Sequence, residues 1–389
     1  MSKHTKIIAT IGPSSQDCET LKKMIKAGVN LFRLNFSHGD YEYHKKSLEN
    51  VRKVSKELGL HIGVLQDISG PKVRIGDLVH KVGLSEGDII EFVKEKIVGD
   101  FVEANYLRVS LNYPEIIAKV KVGDLIYLYD GIICAKVFEA TKDSFKAKVL
   151  SGGILSPGKG VNFPNTKLDI DILTQKDIDD IKWGVENKVD FMAISFVQSA
   201  KNMKYAREVV EKFGGDQFLI AKIEKFEALE NFDEILKVSD GIMVARGDLG
   251  IEVPYYKVPK IQKTLIKKCN QARKPVITAT QMLLSMTDSD RATRAEISDV
   301  ANAVLDGSDA LMLSEESAVG DFPVEAVQTM SNTIKEAESF YDYYKIGKLP
   351  YFDEMDVIDE SAVNLVKNMD LEAILSITTS GGSARKLSR

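Results

Sequence analysis

Cysteine is scarce in this 389-residue chain. Cys18, Cys134 and Cys269 lie far apart and form no CxxC pair. That spacing excludes a disulfide framework and fits a reducing compartment. Long apolar runs are also missing. The first one, Ile7-Ile-Ala-Thr-Ile, is too short for a signal peptide or a membrane span, and nothing later approaches the required length. A cytoplasmic protein is the expectation. There is no excess of one charge: 52 basic against 57 acidic residues leave a net charge of -5. Neither nucleic acid nor an anionic membrane is therefore expected as the main partner. The five histidines, His4, His38, His44, His61 and His80, make no HExxH pattern, which argues against a zinc site. A GxxxxGK[ST] loop is absent too, so any nucleotide is held without a Walker fold.

What is present is the composition of a globular protein with ample core, 44% hydrophobic and 28% charged. Strand-length apolar runs alternate with helix-length amphipathic segments. Runs at 6–11, 29–34 and 61–65 bracket helical patterns at 17–27 and 41–58, which reads as βαβαβ with a parallel sheet. From about Pro71 to Pro164 short β-rich runs take over, separated by turn signals such as Glu86-Gly-Asp and Ser151-Gly-Gly. This is a small all-β insertion. The alternation resumes with a helix over 174–186, where Thr174 is the N-cap. Strands are expected at 190–195, 217–223, 241–245, 275–278 and 310–313, with helices at 199–213, 226–237, 256–272, 294–305 and 323–338. Three strands before the insertion and five after it fit a closed (β/α)8 TIM barrel better than an open sheet.

The expected domains are a barrel over 1–70 and 166–340, an inserted small all-β domain over 71–165, and the start of an α/β C-terminal domain over 350–389. A polar, aromatic linker at 340–350 leads to that last part, with a helix at 361–367 and an apolar run at 373–377. About 40 residues are too few for an independent core, so a truncated chain is expected.

Active sites of such barrels lie at the C-terminal ends of the strands. Polar and charged residues gather there: Arg33, Asn35 and Ser37; Asp67, with Lys72 and Arg74 beyond; Lys222 and Glu224; Arg246, Gly247 and Asp248; Thr278 and Thr280; Ser314 and Glu316. Lys222 and Glu224 are two apart on a strand and point the same way. Alone they are a mere ion pair. With Asp248 at the neighbouring strand end, two carboxylates with open positions suit Mg²⁺, which keeps waters and binds substrate oxygens. Gly247 and Gly250 let backbone N–H groups approach an anion, and Lys222 would neutralise charge on a substrate oxygen.

At these residues the chain resembles the pyruvate kinase family. The matching segments are Thr5-Lys-Ile-Ile-Ala-Thr-Ile-Gly-Pro-Ser-Ser, Phe32-Arg-Leu-Asn-Phe-Ser-His-Gly, Ala221-Lys-Ile-Glu, Gly241-Ile-Met-Val-Ala-Arg-Gly-Asp-Leu-Gly and Ala279-Thr-Gln-Met-Leu. The resemblance implies transfer of the phosphoryl group of phosphoenolpyruvate to ADP, giving pyruvate and ATP, with Mg²⁺ or Mn²⁺ as cofactor. It implies catalytic roles for Lys222, Arg33 and Thr280, metal ligation by Glu224 and Asp248, and substrate contacts from Arg33, Lys222, Gly247, Asp248 and Thr280. Arg74, Lys159, His38 and Asn35 are the implied nucleotide contacts. The family's monovalent-cation site falls on Asn35, Ser37, Asp67 and Ile68. A homo-oligomer is implied, a tetramer in the family, with a dimer the expectation for a chain lacking most of the C-terminal domain.

Departures sharpen the expectations. Lys72 stands where K⁺-dependent members generally carry Glu, so an ammonium replaces the monovalent charge and K⁺ is not required. Glu315 and Ser317 stand where Gly and Thr are usual. Two other readings remain: a Mg²⁺-dependent pyruvate or oxaloacetate lyase or aldolase on the same barrel, and a non-catalytic scaffold. The first leaves Arg74 and Lys159 unexplained, and with them the inserted β domain at 71–165, which the resemblance implies is a lid that closes over ADP. The second would be marked by degraded site residues, whereas all of them are present.

Overall fold

The computed structural model describes residues 3–164, 166, 171–341, 354–369, 371, 373–379 and 381–387. Eight parallel strands close into a barrel: Lys6–Thr10, Leu31–Asn35, Gly63–Ile68, Phe191–Ile194, Phe218–Ile223, Gly241–Ala245, Val276–Ala279 and Ala310–Leu313. They are strands 1 to 8 below. Each pairs with its sequence neighbours, and strand 1 closes the ring on strand 8 with Lys6 opposite Ala310. The expected count and order hold.

Alternation along the strands sorts side chains into two layers. On strand 5, Leu219, Ala221 and Ile223 pack outward beneath the helices, while Ile220 faces the barrel axis. On the other strands Ile8, Leu65, Ala193, Met243, Ile277 and Met312 face the axis with it. The next residue of that parity on strands 1 to 5 is Thr10, Arg33, Asp67, Ser195 and Lys222. The apolar barrel interior is thus capped at its C-terminal mouth by one polar layer.

Caps explain where the helices begin. Asp17 accepts from the N–H groups of Glu19 and Thr20 to start helix Cys18–Ala27, and Asp40 starts Tyr41–Leu58 by accepting from Tyr43. Thr174 and Asp177 form a capping box for Gln175–Glu186, and Thr293 and Glu296 another for Arg294–Leu305. The helix expected over 226–237 breaks in two, Phe226–Glu230 and Phe232–Val238. The Asn231 side chain at the break donates to the Gln198 carbonyl at 2.9 Å, a bond that draws it out of helical register. The helix expected from 256 opens with a 3-10 turn, Tyr255–Lys257, before Val258–Gln271.

Between strands 3 and 4 the chain builds a seven-stranded sheet and a two-stranded ribbon. Their side chains form a second core, from Val73 to Phe163, around the stacked rings of Phe92 and Phe145. Beyond the barrel, the helix expected at 361–367 runs longer, Glu354–Met369. The apolar run 373–377 forms no strand; Leu375 and Ile377 are exposed, and among the described residues none pairs with the run. Residues 342–350 of the expected linker lie outside the described residues.

One buried imidazole gives the fold a pH sensitivity. His44 stacks on Phe36 at 4.0 Å. Its Nε2–H donates to the His38 carbonyl, and its Nδ1 is buried with no partner among the described residues. Burial lowers its pKa. The unfolded chain then binds a proton that the folded one refuses. Stability from this group is present above the unfolded value of about 6.5 and is lost as pH falls below it. Urea midpoints should drop between pH 7 and pH 5, and His44→Phe should flatten that drop.

Candidate functional site

The polar layer at the barrel mouth is internally bonded. Asp67, at the end of strand 3, is buried and takes two cations. Arg33 Nε lies 2.7 Å from its Oδ2, and Lys222 Nζ lies 3.0 Å from its Oδ1. Arg33 also donates to Thr10 Oγ1 at 3.0 Å. Lys222 donates to Ser195 Oγ at 2.7 Å and pairs with Glu224 Oε1 at 3.0 Å. Glu224 accepts the Phe196 N–H at 2.9 Å, which the left-handed turn at Phe196 (φ 56°) aims at it.

Electrostatics follow from burial. Desolvation pushes Asp67 toward the neutral form, but Lys222 and Arg33 outweigh it and hold its carboxyl below the ordinary range. Burial works against the Lys222 charge, yet Asp67 and Glu224 outweigh it and raise its pKa, with Asp248 adding to the effect. Glu224 is raised, by burial first; Lys222 opposes that shift and Asp248 reinforces it. Glu224 and Asp248 therefore press on one another, the condition a bound cation would relieve. No cluster of three or more His, Cys, Asp or Glu suited to a metal occurs among the described residues. The donor set is two carboxylates, which fits an ion that takes its remaining ligands from water and substrate.

Asp248 sits in the first turn of a short helix, Arg246–Glu252, that starts where strand 6 ends. Gly247 adopts helical backbone there, so the freedom expected of it is not used. Its need is proximity: a Cβ would lie 2.6 Å from Thr280 Cγ2. Thr280 and Gln281 both hold positive φ, 76° and 55°. Arg246 fixes them, donating to the Thr280 carbonyl at 2.8 Å while pairing with Asp299 at 2.8 Å.

A second group of sequence-predicted residues lies on the lid side. Arg74 donates to the Gly158 carbonyl at 2.9 Å, and Lys159 rests 4.0 Å above the Tyr129 ring. Lys72 pairs with Asp130 at 3.6 Å. His38 stands among these cations: partial desolvation and then Arg74, Arg33 and Lys72 lower its pKa. Asn35 Oδ1 accepts the Ser37 N–H, and the Ile68 side chain is buried in the core. Glu315 is exposed at the start of a one-turn helix. Its neighbour Glu316 is buried and accepts from the N–H groups of Leu283 and Ser314.

Sequence reasoning missed Ser195 and Thr10 as site residues. The signal was available: each is the polar residue that closes an apolar strand run, on the parity of the barrel interior.

Fold and site together define a (β/α)8 barrel with an acid-bearing, cationic mouth and a β domain inserted after strand 3. The family described as "Pyruvate kinase, barrel domain" matches residues 2–327. A pyruvate kinase of Staphylococcus epidermidis is 44% identical over an alignment of 394 positions, covering 100% of this chain and 66% of that protein. One of Thermococcus litoralis is 43% identical over 397 positions, covering all of this chain and 82% of that protein. A crystal structure of a pyruvate kinase from Cryptosporidium parvum superposes with TM-score 0.93 at 38% identity, covering 99% of this chain and 81% of that one. The chain belongs to the pyruvate kinase family. It spans about two thirds, 66%, of the length of the Staphylococcus relative.

The contact between Gly247 and Thr280 is testable as packing. Gly247→Ala should cost about 1–3 kcal/mol in urea unfolding, because Thr280 is held and cannot retreat. Thr280→Ser, which deletes the obstructing methyl, should restore most of that loss in the double variant.

Proposed function

We propose that this chain transfers the phosphoryl group of phosphoenolpyruvate to ADP, yielding pyruvate and ATP, as a cytoplasmic enzyme. The observation that carries the proposal is the Lys222 ammonium, kept charged by Asp67 and Glu224 at the mouth of the barrel. Phosphoryl transfer requires positioning and charge neutralisation more than covalent chemistry. Lys222 meets the charge that develops on the transferring group and on the enolate oxygen. Arg33, oriented by Asp67 and Thr10, receives the substrate phosphate.

Glu224 and Asp248 would hold the divalent metal, Mg²⁺ or Mn²⁺, which supplies positive charge to substrate oxygens when bound. The N–H groups of Gly247 and Asp248, in the first helical turn, have no intrahelical acceptors and are available to the substrate carboxylate. Thr280, fixed by Arg246, stands on the other side of Gly247, where a hydroxyl can serve the proton path to the enolate. Arg74, Lys159, His38 and Asn35 form the nucleotide side, and the lid excludes water over it. A lyase acting on the same enolate would have no use for the lid cations Arg74 and Lys159.

A coupled assay should show ATP from phosphoenolpyruvate plus ADP, dependent on added Mg²⁺ or Mn²⁺. Lys222→Met should lower kcat by about 10³-fold or more, the scale of losing a transition-state cation, while metal binding persists. A parent chain that makes no ATP refutes the reading.

Lys72 supports K⁺ independence. Its ammonium is close enough to the mouth to depress His38 together with Arg33. Asp67, one member of the monovalent-cation set, already carries two protein cations. Activity in K⁺-free, Na⁺-free buffer should equal that with KCl, and Lys72→Glu should create a K⁺ requirement. A many-fold rise of the parent enzyme on adding KCl refutes this point alone.

A further inference from the structure

Strand 5 is followed by one more buried charge. Lys225, the residue after Glu224, places its ammonium 2.7 Å from Glu252 Oε1. Glu252 ends the short helix that carries Asp248. The same oxygen accepts from the Asn162 side-chain amide at 3.3 Å. Asn162 belongs to Val161–Asn162, the last strand of the lid before the chain returns to the barrel. One buried carboxylate oxygen thus touches the Glu224 segment, the Asp248 segment and the lid.

A cavity of about 30 Å³ adjoins this junction. Val73 of the outgoing lid connection, Val161 and Asn162 of the returning one, and Phe196 and Lys225 of the barrel line it. It has room for about two waters, so the junction is not locked by close packing. The outgoing connection is held separately, where the Gly70 N–H donates to buried Asp177 at 3.0 Å. Two buried charges contribute little to stability that well-packed apolar residues would not match. What they add is a fixed geometry between the segments they join.

We propose that Lys225 and Glu252 are a positioning pair. They set the spacing of the strand ends bearing Glu224 and Asp248, and through Asn162 they set how the lid rests above that site. The inference rests on the reading that these carboxylates hold a divalent metal and that the lid covers the nucleotide.

Two variants separate the halves of the proposal. Asn162→Ala cuts only the tie to the lid. Lys225→Met/Glu252→Gln removes the charges but leaves an amide oxygen for Asn162; if it fails to fold, Lys225→Gln/Glu252→Gln, equally charge-free, takes its place. Mn²⁺ binding is followed by electron paramagnetic resonance on the full chain without substrates, and hydrogen exchange is followed over residues 159–164. Asn162→Ala should exchange faster there and raise the ADP KM at least threefold, with Mn²⁺ affinity within twofold of the parent. The charge-free variant should bind Mn²⁺ at least threefold more weakly, with exchange like the parent. Parent-like exchange in Asn162→Ala overturns the lid half, and parent-like Mn²⁺ affinity in the charge-free variant overturns the spacing half. A parent chain that binds no Mn²⁺ overturns the metal reading and the spacing half with it, while the exchange data still decide the lid half.

Discussion

The Asp67 carboxylate, buried and shared between Arg33 and Lys222, is the constraint on which the mouth of the barrel depends. A buried carboxylate is costly unless paired, and a buried ammonium likewise. Here each offsets the cost of burying the other, and Arg33 has its ion pair only with Asp67 among the described residues. The guanidinium and the ammonium are therefore fixed before any substrate arrives. Reactions that work by charge neutralisation depend on such preorganisation, because nothing has to be reordered as charge develops.

Counting charges shows what the site still lacks. Arg33 and Lys222 face Asp67, Glu224 and Asp248, two cations against three carboxylates. The surplus is concentrated on Glu224 and Asp248, the pair that raises Glu224. A divalent cation held by these two carboxylates, as proposed, would offset that surplus. The lid side differs. There Lys72, Arg74 and Lys159 are held by Asp130, a backbone carbonyl and an aromatic face. None of the three is tied to a buried carboxylate, unlike Arg33 and Lys222 at the barrel mouth.

Much of this was legible in the sequence, for a physical reason. Period-two alternation places Lys222 and Glu224 on one face, and Ile220 behind them fixes that face as the barrel interior. The same parity delivers Thr10 and Ser195, which went unread because a hydroxyl at the end of a strand looks like the start of a turn. The closed ring follows from the number of βα units. Local chemistry fixed the helix starts at Asp17, Asp40, Thr174 and Thr293, because a cap acts within three residues. Tertiary bonds could not be read. Asn231 breaks a helix to reach Gln198, thirty-three positions away. The run 373–377 has strand composition, but a strand exists only when another pairs with it.

Gly247 shows how two sequence signals can share one residue and be confused. Glycine before an acidic residue at a strand end suggests a flexible anion-binding loop. The structure instead places it in a regular helical turn, where its missing Cβ admits the Thr280 methyl. The consequence is mechanical. Arg246 holds the strand 7 end, the Thr280 methyl occupies the space a Cβ on Gly247 would need, and Gly247 precedes Asp248. Glu252, at the other end of the same seven-residue helix, receives the lid. This short helix therefore links Gly247 and Asp248 at its start to the inserted β domain at its end through Glu252 and Asn162.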